Sequence, residues 1–129
     1  MNNILFLDDM QYRHDEFSRI VDHMSDVLVS KVYTASAAIA LLETEPFDQV
    51  FLDHDLALDE ESSEPTGMTV VYHILTMPRP PVQVIVHSCN GPAATMMAQK
   101  LESHPAGIWV RRIPFPELLN RMMRVFSQR

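Results

Sequence analysis

Residues 50–56 read VFLDHDL: three apolar side chains run without interruption into Asp53, His54 and Asp55. A strand with one wet face alternates polar and apolar residues, whereas an unbroken run marks a strand covered on both faces, the usual condition of a parallel sheet. Comparable runs occur at NILFL (3–7), VLVSKVY (27–33), QVFL (49–52), VQVIV (82–86) and IWV (108–110), and four of the five are too dense in apolar residues to be half-exposed strands. Between them the apolar period becomes helical. It is carried by Phe17, Ile20, Val21 and Met24, then Ala37, Ile39, Ala40, Leu41 and Leu42, then Met68, Val71, Tyr72 and Leu75. It continues through Ala93, Met97 and Leu101 and ends with Leu118, Leu119, Met122 and Phe126. Breakers stand where helices should stop: Pro46, then Pro78, Pro80 and Pro81, then Pro105 and Gly107. The order is strand then helix, five times. Such alternation predicts one parallel sheet with helices on both faces, because each strand must return to the same end by a right-handed crossover.

The remaining bulk properties narrow the function class. At 129 residues, 47% hydrophobic and 21% charged, the chain is expected to fold as one domain over 1–129, without internal repeat or linker. No apolar run approaches the roughly 20 residues of a membrane helix. The start, MNNILFLDDM, has no basic region, so a secretory signal is not expected and the cytoplasm is the expected location. Lone Cys89 agrees with a reducing compartment. Ten basic against seventeen acidic residues give a net charge of −7, which opposes bulk DNA binding; a phosphate-bearing ligand needs a local site. There is no glycine-rich phosphate loop, no cysteine spacing for structural zinc and no basic, aromatic stripe for single strands.

The unusual polar residues fall at one end of the strands. Asp8 and Asp9 follow the first strand, Arg13 and His14 open the first helix, Asp53, His54 and Asp55 follow the third strand, and His87, Ser88 and Asn90 follow the fourth. In open parallel sheets the carboxyl edge is where ligands bind, since loops diverge there and helix N-termini point into the crevice. VFL thus crosses the core and DHD emerges at the functional rim. The acidic segment 57–66, ALDEESSEPT, hangs over that edge, as a solvated loop or as a lid.

FLDD, LDHD and HSCN, with PF after the last strand, resemble the receiver domain of two-component response regulators over nearly the whole chain. The resemblance implies a magnesium ion held by Asp8 and Asp9, a phosphoryl group accepted by Asp53, and Ser88 as the switch hydroxyl. Receivers carry a lysine immediately before the proline after the fifth strand; here RRIPF places Ile113 there, and Arg112 next to it faces the opposite side of a strand. Histidines appear instead. FLDDMQYRHDEF, VFLDHDL, VIVHSCN and IPF together resemble a variant, the cyclic-phosphate-processing receiver domain, which is associated with RNA repair.

The residues themselves allow such chemistry. Carboxylates and imidazoles in one pocket suit a divalent ion: magnesium or manganese first, with zinc or iron also compatible with histidine. Asp8, Asp9 and Asp53 are the expected metal ligands, with Asp55 or His54 completing the sphere. His14, His54, His87 and Asp55 are the expected catalytic groups, moving protons to an attacking water and a leaving oxygen. Arg13, Ser88 and Asn90 are the expected substrate contacts, Arg13 as a bidentate phosphate clamp.

Competing roles stand beside these. Asp8 and Asp9 can cap the first helix. His14 lies one turn before Phe17 and can pack half buried. Asn90, before Gly91 and Pro92, can cap the fourth helix. Cys89 reads as a small buried hydrophobe, the nine methionines mostly as core filler, and Asp48 and His73 as structural, while His23 and His104 fall at far helix ends.

The expected architecture is a single flavodoxin-like (βα)5 domain with sheet order 2-1-3-4-5. The expected activity is metal-assisted processing of a cyclic phosphate on an RNA end or a nucleotide. Two other readings use the same rim: a phospho-acceptor receiver with Asp53 as acceptor and a partner-binding face, and a nucleotide sensor without turnover. A phosphate-bearing small molecule or RNA end is the expected partner, and a homodimer is compatible with the sequence.

Overall fold

A computed structural model describes residues 2–56 and 66–127, with side chains to Met122. The acidic segment read as loop or lid lies outside the described residues, apart from Thr66. The element order is β1 (Asn2–Leu7), α1 (Gln11–Val21), β2 (Val27–Val32), α2 (Ala35–Thr44), β3 (Gln49–Leu52), α3 (Gly67–Leu75), β4 (Gln83–Val86), α4 (Gly91–Glu102), β5 (Trp109–Arg112) and α5 (Phe115–Ser127). The five strands form one sheet in the order β2-β1-β3-β4-β5, every pair parallel. This is the expected flavodoxin-like fold.

Strand periodicity divides the core in two. Ile4, Phe6, Phe51, Ile85 and Ile113 point to one face, where they bury Phe17 and Val21 of α1 and Leu118 and Met122 of α5. Leu5, Leu7, Val50, Leu52, Val84 and Val86 point to the other, against Leu42 of α2, Val70, Val71 and Ile74 of α3, and Met97 and Leu101 of α4. The three central strands β1, β3 and β4 are buried along nearly their whole length, as their unbroken apolar runs require. One expectation is corrected. IWV is as dense as the central strands, yet β5 runs on through Arg111 and Arg112 and leaves Trp109 43% exposed, because an edge strand has a neighbour on one side only.

Local caps set where helices begin, and so where the rim lies. Thr34 accepts the Ala37 N–H at α2, Asn90 accepts the Ala93 N–H at α4, and Thr66 forms a capping box with Thr69 at α3. The start of α3 is drawn against β3. Gly67 donates its N–H to the His54 carbonyl at 2.9 Å, and a Cβ added there would lie 1.9 Å from the Asp53 carbonyl oxygen and 2.8 Å from Met97 Cε. Only glycine permits this approach. Gly67→Ala is therefore expected to cost about 1–3 kcal/mol by overpacking, read as a lowered denaturant midpoint at unchanged slope. A midpoint equal to wild type would contradict the close approach.

Candidate active site at the carboxyl edge of the sheet

The register places Leu7, Leu52, Val86 and Arg112 at one level. The next residues, Asp8, Asp53, His87 and Ile113, therefore form a row one step beyond the sheet, on the face shared by Phe6, Phe51 and Ile85. Backbone bonds extend the ladder across this row: Asp53 N–H to Leu7, His87 N–H to Leu52 and Ile113 N–H to Val86. Asp8, Asp53 and His87 are buried, and one ligand atom from each lies within 4.8 Å of the others. Among the described residues this trio alone is close enough to hold a metal ion.

Asp8 is the hub of the row. Its Oδ1 accepts the Met10 N–H at 2.9 Å; its Oδ2 accepts His87 Nε2–H at 2.9 Å and Arg13 Nη1–H at 3.2 Å. Burial pushes its carboxyl up, but the hydrogen bond and positive end of His87, the Met10 N–H and Arg13 outweigh that, and the net direction is down. An ionised Asp8 can only accept, so Nε2 is the nitrogen that carries the His87 proton. The ring stacks on Phe6 with centroids 5.0 Å apart, and Nδ1 is buried without a partner.

His14 holds the same residue from the other side. Its Nε2–H donates to the Asp8 carbonyl at 2.8 Å, its ring meets Phe6 edge-on at 5.0 Å, and its Nδ1 is also buried and unpartnered. Burial lowers its pKa, so the neutral imidazole is favoured. Two imidazoles each spend one proton on Asp8, one on its carboxylate and one on its backbone.

Asp53 faces a different balance. Burial raises its carboxyl, the charge of Asp8 raises it further, and His87, Arg13 and the His54 N–H offset part of this; the result is about 6. Arg13 bridges the two acids, with Nη1 3.7 Å from Asp53 Oδ2 as well as bonded to Asp8. Its pKa moves up despite burial, through a Tyr12 hydrogen bond and the Asp8 carboxylate.

Above the row opens a cleft of about 220 Å³ lined by Asp9, Met10, Arg13, Asp53, Asp55 and Cys89. The structure thus brings Asp8, Asp53, Arg13 and His87 together and sorts the other expected residues around them. Asp9 lines the cleft but stands outside the tight trio, because successive side chains leaving β1 turn to opposite sides. Asp55 lines the cleft, and its Oδ1 lies 2.7 Å from His54 Nδ1, which makes His54 the partly exposed imidazole of the rim. His14 is placed beneath the rim, in the packing role its spacing from Phe17 allowed, but fully rather than half buried. Ser88 is turned inward, its Oγ accepting the Asn90 N–H at 3.0 Å. Asn90 caps α4 and reaches Asp55 with Nδ2 at 3.4 Å.

Cys89 differs from the expectation of a buried hydrophobe. It is exposed on the turn between β4 and α4, with Sγ 3.8 Å from Arg13 Nη2. Arg112 reaches across the other face to Thr95 at 2.8 Å, as strand parity demands, and the lysine position is filled by buried Ile113. At the opposite edge Asp48 accepts the Asn3 N–H, a structural role, and His104 donates to the Met77 carbonyl.

The donor set fits a small divalent cation. The two carboxylates offer hard oxygens that suit magnesium or manganese, and zinc or iron would call on the His87 ring once the proton on Nε2 is given up.

Comparison with known proteins bears on this geometry. Residues 3–103 match the model of the cyclic-phosphate processing receiver domain. No curated protein matches the chain. Among solved structures, the signal receiver domain of a putative LuxO repressor from Vibrio parahaemolyticus superposes with a TM-score of 0.76 at 18% identity, covering 98% of this chain and 88% of that one. The receiver domain of a sensor histidine kinase from Pseudomonas aeruginosa, described with magnesium coordinated in its active-site cleft, gives 0.74 at 14%, covering 98% and 95%. The manganese-bound form of response regulator Rcp1 gives 0.71 at 17%, covering 98% and 93%. At these identities the likeness is one of fold. No described helix is long and apolar enough to cross a membrane.

Proposed function

The chain belongs to the cyclic-phosphate processing receiver family, and from that premise we propose that it opens a cyclic phosphate ester with the help of a divalent ion on Asp8 and Asp53. The observation that carries the reading is the convergence of two buried carboxylates, a buried imidazole and a guanidinium beneath one small acidic cleft. An ion there supplies Lewis acidity toward a phosphoryl oxygen and lowers the pKa of a water.

The chain's own groups supply the rest. Arg13 offers paired N–H donors to the phosphate, a geometry that lysine lacks. Asp55 lines the cleft and stands outside the pair that holds the ion, which suits a general base. His54, oriented by Asp55, is the imidazole with solvent access and suits protonation of the leaving oxygen. His14 and His87 act as positioning residues: they fix Asp8, and their protons are engaged there. In the net reaction water adds to phosphorus, one ring P–O bond breaks, and the freed alkoxide takes up a proton.

The test is incubation with 2′,3′-cyclic nucleotides, cyclic dinucleotides and RNA ends bearing a cyclic phosphate, with and without manganese, for wild type and His54→Ala. We expect ion-dependent ring opening by wild type and a loss of about 100-fold in His54→Ala, the scale of general acid–base help. Absence of turnover on every substrate would remove the hydrolase reading, and tight binding without turnover would make the protein a sensor. A phospho-acceptor role for Asp53 is favoured by one observation, its place at the end of β3 in the cleft. Labelling by acetyl phosphate that disappears in Asp53→Asn would establish it.

A further inference from the structure

We infer that Arg13 is an exchangeable counter-ion: its guanidinium neutralises Asp8 and Asp53 while no divalent ion is bound, and an arriving ion displaces it toward the cleft, where it takes the substrate's phosphate. This rests on the ion-dependent reading above and concerns how this arginine responds to the ion.

Nη1 stands 3.2 Å from Asp8 Oδ2 and 3.7 Å from Asp53 Oδ2, so it faces the space between them. Carboxylate oxygens bind magnesium, zinc or manganese at about 2.0–2.2 Å, which puts an ion into that same space. Two cations between one pair of acids repel each other. The acids are fixed, with side-chain exposures of 0% and 6%, whereas Arg13 is at 13%, belongs to the cleft wall and carries the longest flexible stem of the three.

Its present hold is also incomplete. Nε is buried without a partner, and Nη2 reaches the weak acceptor Cys89 Sγ at 3.8 Å. The Phe115 ring lies 5.0 Å from Cζ and gives the guanidinium a surface over which to shift. Apolar Ile113, rather than a cation, occupies the point of the row beyond His87. An order of binding follows: the free protein has its phosphate anchor engaged, and the ion releases it.

Manganese titrated into wild type, Arg13→Met and Arg13→Lys, followed by the paramagnetic resonance of free manganese, tests the exchange. Arg13→Met is expected to bind the ion about tenfold tighter than wild type, with Arg13→Lys between them. Calorimetry with inorganic phosphate is then expected to show ion-loaded wild type binding about tenfold tighter than ion-loaded Arg13→Met, and no such gap without the ion. Equal or weaker manganese binding by Arg13→Met overturns the exchange while leaving the ion reading intact. No manganese binding by any of the three overturns both. Should Arg13→Met fail to fold, as shown by its melting curve, Arg13→Lys against wild type decides by the same criterion.

Discussion

Replacing Asp53 by asparagine is expected to stabilise the ion-free protein at neutral pH, by about 2–3 kcal/mol, although the residue lies at the heart of the cleft. The sign follows from the direction of its shift. The folded carboxyl sits near 6 against 3.8 for the ordinary group, so below the lower value both states hold the proton and no difference arises. As pH rises through this window the unfolded chain releases its proton first, and native stability falls. Above the window the whole penalty is present. Asparagine keeps an oxygen for the His54 N–H, which Asp53 Oδ1 accepts at 2.9 Å, and has no charge to bury. Melting temperatures of wild type and Asp53→Asn should therefore coincide near about pH 4 and separate by several degrees near about pH 8. Saturating manganese should reverse the ranking, because an ion that binds only the folded carboxylate stabilises wild type alone. A variant less stable than wild type at about pH 8 without ion would contradict the buried, repelled state assigned to Asp53.

Asp8→Ala should have the larger effect, in the opposite direction. Its carboxylate answers three donors, the Met10 N–H, Arg13 Nη1 and His87 Nε2, and is itself inaccessible. Removing one member of a buried ionic cluster leaves its partners desolvated and unpaired, a loss of about 3–5 kcal/mol. Domains of this size hold only about 5–15 kcal/mol in all, so the variant is expected near the edge of folding. Asp8→Asn should fall between, since the amide keeps an acceptor but turns a donor toward Arg13 or His87. Urea midpoints order the three, and a loss below about 1 kcal/mol for Asp8→Ala would show that the cluster is not the keystone described. Asp8 and Asp53 act in different ranges. Asp8 is shifted down, so its contribution is present above 3.8 and disappears as acid protonates the folded group.

The sheet was legible because its central strands are apolar on both faces and its helices keep their period, two signals that local sequence carries directly. VFL and VIV could only be interior, and the breakers at Pro46 and Pro78 closed the helices between them. The exposure of the edge was less legible: the expected order put β5 outermost, yet Trp109 and Val110 are as apolar as a central strand, and nothing local says how far they stay exposed.

At the site, the acids and histidines were correctly gathered at one end, yet their division of labour needed coordinates. Part of it was available from parity alone. Asp8 follows Phe6 by two, Asp53 follows Phe51 by two and His87 follows Ile85 by two, so all three had to share a face. His14, three residues before Phe17, had its burial written in helical spacing. The direction of its proton, toward the Asp8 backbone, was not written anywhere local. Arg13 is the clearest case of what sequence withholds. A long side chain on the first turn of α1 can reach many places, and its contact with Asp53, forty residues further along, exists only once β1 and β3 pair.

Gly67 carries a practical consequence. Its N–H on the His54 carbonyl ties together two positions thirteen residues apart in the sequence, beside Asp53. Residues 54 and 67 are held together by the scaffold itself. Doubling the chain length between such positions costs only about 0.6 kcal/mol of closure entropy. An epitope or reporter inserted between these two positions is therefore expected to leave the melting temperature within a few degrees of wild type.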